Sequence, residues 1–475
     1  MSASPIPREI FRAYDIRGLA LGADALLTPD LAIRVALAFA ELVDSAERVV
    51  VGGDHRPSTP ALQQAAIAGL LDAGLDVVDI GRAPSPLVYW STALLTQERP
   101  TAGLVVTASH NRAEDNGIKL LHTDAMPLSP GEIQAVADRV ASGVSAGERQ
   151  GERSLWSPRP AYVRSLADSF GLRRPLRVAI DPGNGVATVT AGAALRGIGC
   201  EVIAINDDPE EPEPPHPADP QHAANVAELA RFVSDSGADL GFAFDGDGDR
   251  LGLVDGRGRR AGPDQVLALL AQDWLSGHPR ALIHVDVKTS RAVIDHIEGL
   301  GGRAVFGPVG HSLGKYAMRD GGIDFGGEAS THYFYRLDDP PHYSDDAVRT
   351  ACRIAQIASG TALEPLLDSI PRYPISPEVK IACADDRKHD VAARIAEEAQ
   401  GRWPTNEIDG ARIDLSEQAE GSWCVIRASN TTPYLTVLVE GRDDSGYVIA
   451  QRIAAEILEG AGLDPTPLIN QPPLA

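Results

Sequence analysis

Residues 48–81 read RVVVGGDHRPSTPALQQAAIAGLLDAGLDVVDIG, and this stretch decides the fold. A valine-rich run ends in Asp54, a helical pattern follows, and a glycine-containing break returns the chain to a second apolar run. The same order recurs at 176–206 (LRVAIDPGNGVATVTAGAALRGIGCEVIAIN) and at 281–307 (ALIHVDVKTSRAVIDHIEGLGGRAVFG), where Asp181 and Asp286 take the place of Asp54. A βαβ unit is therefore used three times. Parallel strands covered on both faces read as near-continuous apolar runs, so the chain is expected to be α/β, with three tandem similar domains and mixed or mostly parallel sheets.

A chain of 475 residues is enough for roughly three or four domains. The stretch Ser142 to Ser157, rich in Gly, Ser and charge, is expected to be a linker after the first unit. Residues 207–220 (DDPEEPEPPHPADP) are too rich in proline for a helix or central strand and predict a loop, ordered or mobile. Further breaks at 255–262 and 370–377 suggest domains at 1–150, 151–257, 258–370 and 371–475, the last a smaller α+β domain with a loose tail after about residue 462.

The net charge of −23 argues against nucleic acid as the main partner, since a phosphate backbone needs a basic face. A small anionic substrate would then need positive charge gathered locally. Only five of the 43 basic residues are lysines, Lys119, Lys288, Lys315, Lys380 and Lys388, and three of them fall in segments singled out below. The four cysteines have no metal-ligand spacing, which fits a reducing cytoplasm. The N-terminal residues have no apolar signal core, and the longest apolar run, near Leu31 to Val43, is broken by Arg34 and Glu41, so no membrane span is expected.

Four segments carry chemistry. In Ala102 to Leu121 an apolar run delivers Ser109 into a polar loop with His110, Asn111 and Asn116, and Lys119 follows ten residues on. Such a serine is either a covalent nucleophile or phosphoryl carrier, or part of a turn; without a GxSxG elbow an α/β-hydrolase is poorly supported. In FAFDGDGDRLGL, Asp245, Asp247 and Asp249 alternate with Gly246 and Gly248, which let the backbone coil so that three carboxylates converge. Their repulsion calls for a hard divalent cation, most simply Mg²⁺. An EF-hand is excluded, because Arg250 and Gly256 stand where that loop needs Gly and Glu. In GGEASTHYFY, Glu328, Ser330 and His332 would point the same way on an extended loop and meet a ligand's hydroxyls, or else form the polar face of an edge strand. In RASNTTP, Arg427, Ser429, Asn430 and Thr431 form either a phosphate cradle or an ordinary hairpin loop. Lesser candidates are Tyr14, Asp15 and Arg17, Lys288, and His311 with Ser312 and Lys315, each of which is a site residue or a satisfied polar group. Asp181 with Asn184 is read as a turn, and HYSDDA as a helix cap through Ser344 or Asp345 that could instead border the site.

With FRAYDIRG, TASHN with NGIK, DGDGDR, VGHSL, GEASTH and RASNTTP present in family order, the chain resembles the α-D-phosphohexomutases, in particular their phosphomannomutase/phosphoglucomutase branch, over essentially its full length. The resemblance implies four domains around a central cleft, to which each contributes one loop. It also implies reversible transfer of phosphate between O1 and O6 of a hexose, mannose or glucose, through a phosphoserine at Ser109 and a 1,6-bisphosphate that also serves as activator. Asp245, Asp247 and Asp249 with the Ser109 phosphate would then hold Mg²⁺. Arg250 and Lys119 would neutralise the transferring group, while His110, Lys119, Arg17 and His311 are candidates for proton transfer. Glu328 and Ser330 would read the sugar, with Tyr14, Lys288 and His332 near it, and Arg427, Ser429, Asn430 and Thr431 would grip the phosphate that is not reacting.

The family usually has Pro, Gly and Gly where Arg112, Thr331 and Ala347 stand here, which bears on sugar preference more than on reaction class. The alternatives are a phosphoglucosamine mutase and, from another class, a metal-dependent sugar-phosphate phosphatase or a silent sugar-phosphate binding protein. A cytoplasmic monomer or weak dimer is expected.

Overall fold

The apolar runs that open the repeats are strands, and each takes a parallel neighbour from the end of its own repeat. This is seen in the computed structural model, which describes residues 6–208, 210–211, 215–429 and 433–474. The first sheet holds β1 (Ile16–Leu19), β2 (Arg48–Gly53), β3 (Asp76–Arg82), β4 (Thr101–Val106), β5 (Asp115–Leu121) and β6 (Arg153–Leu155), in the order β1-β5-β4-β2-β3-β6. Here β2 is parallel to β3 and β4, while β5 runs antiparallel to β4 and β1. The second sheet holds β7 (Arg177–Asp181), β8 (Glu201–Ala204), β9 (Leu240–Phe244), β10 (Leu251–Asp255) and β11 (Arg260–Ala261), in the order β11-β10-β9-β7-β8. In it β7 is parallel to β8 and β9, and β9 and β10 form an antiparallel hairpin.

In the third repeat β12 (Leu282–Asp286) is parallel to β13 (Arg303–Gly307) and β14 (Phe325–Gly327). Strands β15 (Tyr333–Asp338) and β16 (Pro341–Asp345) form an antiparallel hairpin. The last sheet is antiparallel throughout: β17 (Val379–Ala382), β18 (Thr405–Asn406), β19 (Ala411–Asp414), β20 (Trp423–Ala428) and β21 (Tyr434–Glu440), in the order β17-β21-β20-β19-β18. The α/β expectation holds, with mixed sheets and a smaller antiparallel C-terminal one.

The chain forms two compact units. The first is Met1–Val266 with Ser330–Leu367, and the second is Leu267–Ala329 with Asp368–Ala475. In the first, the helices Pro29–Leu42, Thr59–Asp72 and Pro130–Ser142 pack apolar side chains such as Val35, Phe39, Leu62, Ile133 and Val136 into one core with β2 and β4. Starts and stops follow local chemistry: Thr28 accepts from the Leu31 amide, and Ser129 with Glu132 makes a reciprocal capping box.

One turn is repeated three times. The Oδ1 atoms of Asp54, Asp181 and Asp286 accept from the amides of Arg56, Gly183 and Lys288, two residues on, at 3.0, 2.9 and 2.9 Å. Each turn releases the chain from the carboxyl end of a central strand in its own sheet.

Three expectations need correcting. The stretch 142–157 is no free linker: Gly147 and Gly151 donate to the carbonyls of Asp72 and Leu71, and β6 pairs with β3. An edge strand with unpaired backbone groups recruits whatever passes it, whatever its composition. Helix Ala347–Gly360 is capped by Asp346, whose side chain accepts from the Arg349 amide, rather than by Ser344 or Asp345, which belong to β16. The run 328–332 is not extended, since residues 329–331 form a turn with Thr331 at φ 70°. Glu328 falls in the second unit, whereas Ser330 and His332 fall in the first.

Candidate active site

The β4–β5 hairpin of the first unit carries Ser109 at its connection and Lys119 in its second strand. Ser109 is buried, has φ 54°, and donates its amide to Thr107 Oγ1 at 2.9 Å. Its Oγ lies 3.0 Å from Asp245 Oδ2 and 3.0 Å from His110 Nδ1. Lys119 Nζ reaches Asp247 Oδ2 at 2.7 Å and Asp249 Oδ2 at 2.8 Å.

The three aspartates sit in the β9–β10 turn, all buried, each offering a ligand oxygen within 4.8 Å of the others. Their glycines do what the sequence asks of them: Gly248 has φ 76°, and a Cβ on Gly246 would run into the Ser109 carbonyl. Asp245 Oδ1 accepts the amides of Gly248, Asp249 and Arg250 at 3.0, 3.0 and 3.1 Å. Burial and then the charges of Asp249 and Asp247 nevertheless push its carboxyl well above the usual range. For Asp247, burial and Asp249 also act upward, but Lys119 and Ser85 outweigh them and hold it below. Burial opposes charge on Lys119 too, yet Asp247 and Asp249 raise it well above its ordinary value.

Asp247 Oδ1 is buried and finds no hydrogen-bond donor among the described residues. An unsatisfied carboxylate oxygen inside a set of three converging carboxylates is the donor chemistry of a hard divalent cation. The residues fit such an ion.

The turn after β14 adds His332, whose Nε2 is 3.2 Å from Asp249 Oδ1 and 3.8 Å from Asp345 Oδ2, and whose Nδ1 is 2.9 Å from Ser330 Oγ. Arg250 Nε lies 3.4 Å from His332 Nε2. Arg17 in β1 donates to Asn111 Oδ1 at 3.1 Å and pairs with Asp15 at 2.5 Å, with Tyr14 in the bend just before. The Arg112 side chain is exposed. These residues of the first unit converge on Ser109 and the triad.

Within the second unit, Arg427 Nε pairs with Asp409 at 3.0 Å, while its buried Nη2 has no acceptor among the described residues. Asp409 also accepts the Val309 amide at 2.9 Å. Glu328 Oε1 accepts the Gly310 amide at 3.0 Å, at the start of helix His311–Gly321, which carries His311 and Lys315, both buried. Lys288 pairs with Glu378 at 2.9 Å, and that pair holds its ammonium above the ordinary range despite burial. Ser429 is buried beside Arg427, and Asn430 and Thr431 lie outside the described residues.

Four family descriptions match successive parts of the chain. They are "Phosphoglucomutase/phosphomannomutase, alpha/beta/alpha domain I" at residues 8–146, the corresponding domains II and III at 160–258 and 262–373, and the C-terminal domain at 378–460. A phosphomannomutase/phosphoglucomutase of Pseudomonas aeruginosa is 35% identical over 448 residues, covering 92% of this chain and 93% of the relative. The chain belongs to the phosphoglucomutase/phosphomannomutase family of α-D-phosphohexomutases. A probable phosphoglucosamine mutase of Methanothermobacter thermautotrophicus is 33% identical over 83% of this chain and 86% of its own. A crystal structure of a family protein from Burkholderia thailandensis superposes with a TM-score of 0.87 at 30% identity, covering 98% of this chain and all of that one.

Two residues of this phosphohexomutase, Ser85 and Arg56, escaped the sequence reading, and a third, Asp345, was read two ways. Ser85 donates to Asp247 Oδ2 at 2.6 Å from a stretch with no motif of its own. Asp345, read as a helix cap or as bordering the site, is not the cap and lies within metal-ligand reach of Asp249 and His332. Arg56 underlies the Ser109 loop, and the repeats held a signal for it: it stands two residues after Asp54, as Lys288 does after Asp286.

Proposed function

We propose that this phosphohexomutase moves phosphate between O1 and O6 of a hexose, mannose and/or glucose, with Ser109 as the phosphoryl carrier. In the forward half, the substrate hydroxyl oxygen bonds the phosphoserine phosphorus, the P–Oγ bond breaks, and the hydroxyl proton passes to a nearby base. The product is a hexose 1,6-bisphosphate, which turns over and returns its other phosphate to Ser109. Supplied from outside, the same bisphosphate acts as activator by rephosphorylating the serine.

The observation that carries this reading is a buried serine hydroxyl 3.0 Å from one carboxylate of a convergent aspartate triad. Ser109, Asp245, Asp247 and Asp249 are the residues that would hold Mg²⁺, which when bound draws charge from phosphoryl oxygens. Lys119 and Arg250 offset the charge spread over the transferring group. His110, 3.0 Å from Ser109 Oγ, is placed to exchange a proton with it, and Arg17, Lys119 and His311 are candidates for the substrate's oxygens. Glu328, Ser330 and His332 read the sugar, together with Tyr14 and Lys288. Arg427 and Ser429, with Asn430 and Thr431, grip the second phosphate; the Nη2 of Arg427, which has no acceptor among the described residues, supports that role.

The reading divides the chain into domains at 1–150, 151–257, 258–370 and 371–475. It makes the enzyme a cytoplasmic monomer or weak dimer whose partners are sugar phosphates rather than nucleic acid or membrane. No described helix is long and apolar enough to cross a membrane. Phosphoglucosamine is the second substrate reading, supported by the Methanothermobacter relative of that name.

Intact mass of the purified protein after incubation with glucose 1,6-bisphosphate should show a phosphoryl increment that Ser109→Ala abolishes. Full mutase activity in Ser109→Ala would sink the carrier role. Parallel assays on mannose, glucose and glucosamine 1-phosphates settle the sugar, and inorganic phosphate released without isomerisation would instead favour a phosphatase.

A further inference from the structure

Arg56 follows β2 in the turn made by Asp54 and is almost wholly buried. A guanidinium has five N–H donors in a fixed planar fork, and here each has an acceptor. Nε donates to Asp54 Oδ2 at 3.0 Å. One terminal nitrogen donates to the carbonyls of Arg112 and of Asp115, the latter at 3.0 Å. The other donates to the carbonyls of Ser109 at 2.8 Å and Asn111 at 2.7 Å. Four main-chain oxygens of the nucleophile loop thus converge on one side chain from a neighbouring strand end.

Asp54 holds the arginine in turn. Its Oδ1 accepts the Arg56 amide at 3.0 Å and Thr59 Oγ1 at 2.5 Å, and its own amide donates to Val106 at the end of β4. Asn116, at the start of β5, donates to Ser58 and Thr59 at 2.8 and 2.9 Å. The clamp is therefore fastened at both ends of the loop.

We propose that Arg56 is the positioning residue of the reacting serine, a role that rests on the phosphoserine reading of Ser109. A loop of this length, with Ser109 at φ 54°, does not hold a left-handed serine by its own backbone preference. The guanidinium does so by taking the Ser109 carbonyl itself. It also turns four carbonyl dipoles toward a cation, so that less of their negative end faces a dianionic phosphate carried on Oγ. The charge of Asp54 keeps the buried cation paired.

The test compares Arg56→Lys and Arg56→Gln with wild type and with Ser109→Ala. Lysine keeps the charge but offers three donors in no fixed plane, and glutamine keeps two donors without charge. Rates are normalised to the folded fraction measured by circular dichroism. Arg56→Lys should lose about 10²-fold in kcat, the scale expected when a reacting group is misplaced by about 1 Å, with KM for the sugar phosphate changed by less than about threefold. Phosphorylation of Ser109 by glucose 1,6-bisphosphate, followed by intact mass, should slow in parallel. Without any substrate, hydrogen exchange should quicken in the loop peptide spanning 109–114 and stay unchanged in β2, β4 and β5.

A kcat within twofold of wild type in both variants overturns the proposal. So does faster exchange spread evenly over the first sheet, which would mark a merely structural arginine. Should wild type itself form no phosphoserine, the functional reading fails, while the exchange measurement still decides whether Arg56 holds the loop.

Discussion

Thr331 stands at φ 70° with its side chain buried and its hydroxyl without a partner among the described residues. A β-branched residue is among the least suited to the left-handed region, which costs an L-residue roughly 1–2 kcal/mol. The turn is held all the same, because the Thr331 carbonyl accepts the Leu251 amide at 3.2 Å and its neighbours Ser330 and His332 bond each other. Thr331→Gly should release that strain against some added freedom in the unfolded chain, raising the thermal midpoint by about 1–2 °C. A lowered midpoint in calorimetry would show that the threonine's packing outweighs its backbone cost. At this scale legibility follows sequence distance. The Asp245 triplet could be read because its glycines and carboxylates are written side by side, whereas Ser85 meets Asp247 across 162 residues and Arg56 meets the serine loop across 53 to 59. No local pattern announces such partners.

Among the elements, the three βαβ units were legible from periodicity, since strand and helix place apolar side chains at different spacings. The 142–157 stretch and the turn at 329–331 were not, for their conformation is set by a neighbouring strand edge and by hydrogen bonds to β10. The acidic loop at 207–220 is another case, left open between ordered and mobile by its composition. His216 pins its described part, with Nε2 3.0 Å from Asp181 Oδ2, and Asp208 donates to Asn184 at 3.1 Å. The Asp181 hydrogen bond raises the His216 pKa, burial opposes it, and the Pro217 carbonyl and the charges of Asp181 and Glu228 add to the rise. A raised folded pKa makes this contact fully stabilising below the unfolded value of about 6.5, and the contribution fades as pH climbs through the folded value. His216→Gln should therefore lower the thermal midpoint more at about pH 5.5 than at about pH 8.5. Equal deficits at both would remove the charged pair as the cause.

For the whole molecule, repetition made the architecture readable, and six motifs in order made the family readable; the division into two compact units had no signature in composition. Within a chain of net charge −23, three aspartates are concentrated in one buried turn, where Lys119 offsets part of their mutual repulsion and a divalent cation would offset more. Chelator-treated protein should gain thermal midpoint when Mg²⁺ is added, by the equivalent of about 2.7 kcal/mol at a hundredfold excess over Kd, and Asp247→Asn should shrink that gain. An unchanged midpoint in wild type would deny the triad its metal. The scarcity of lysine has a consequence of another kind. Lys119, Lys288, Lys315 and Lys388 are buried, and Lys380 alone is exposed. An amine-acylating reagent thus meets a single reactive ε-amine on the native chain and five on the unfolded one, so the extent of acylation at neutral pH counts, molecule by molecule, how much of the population has opened.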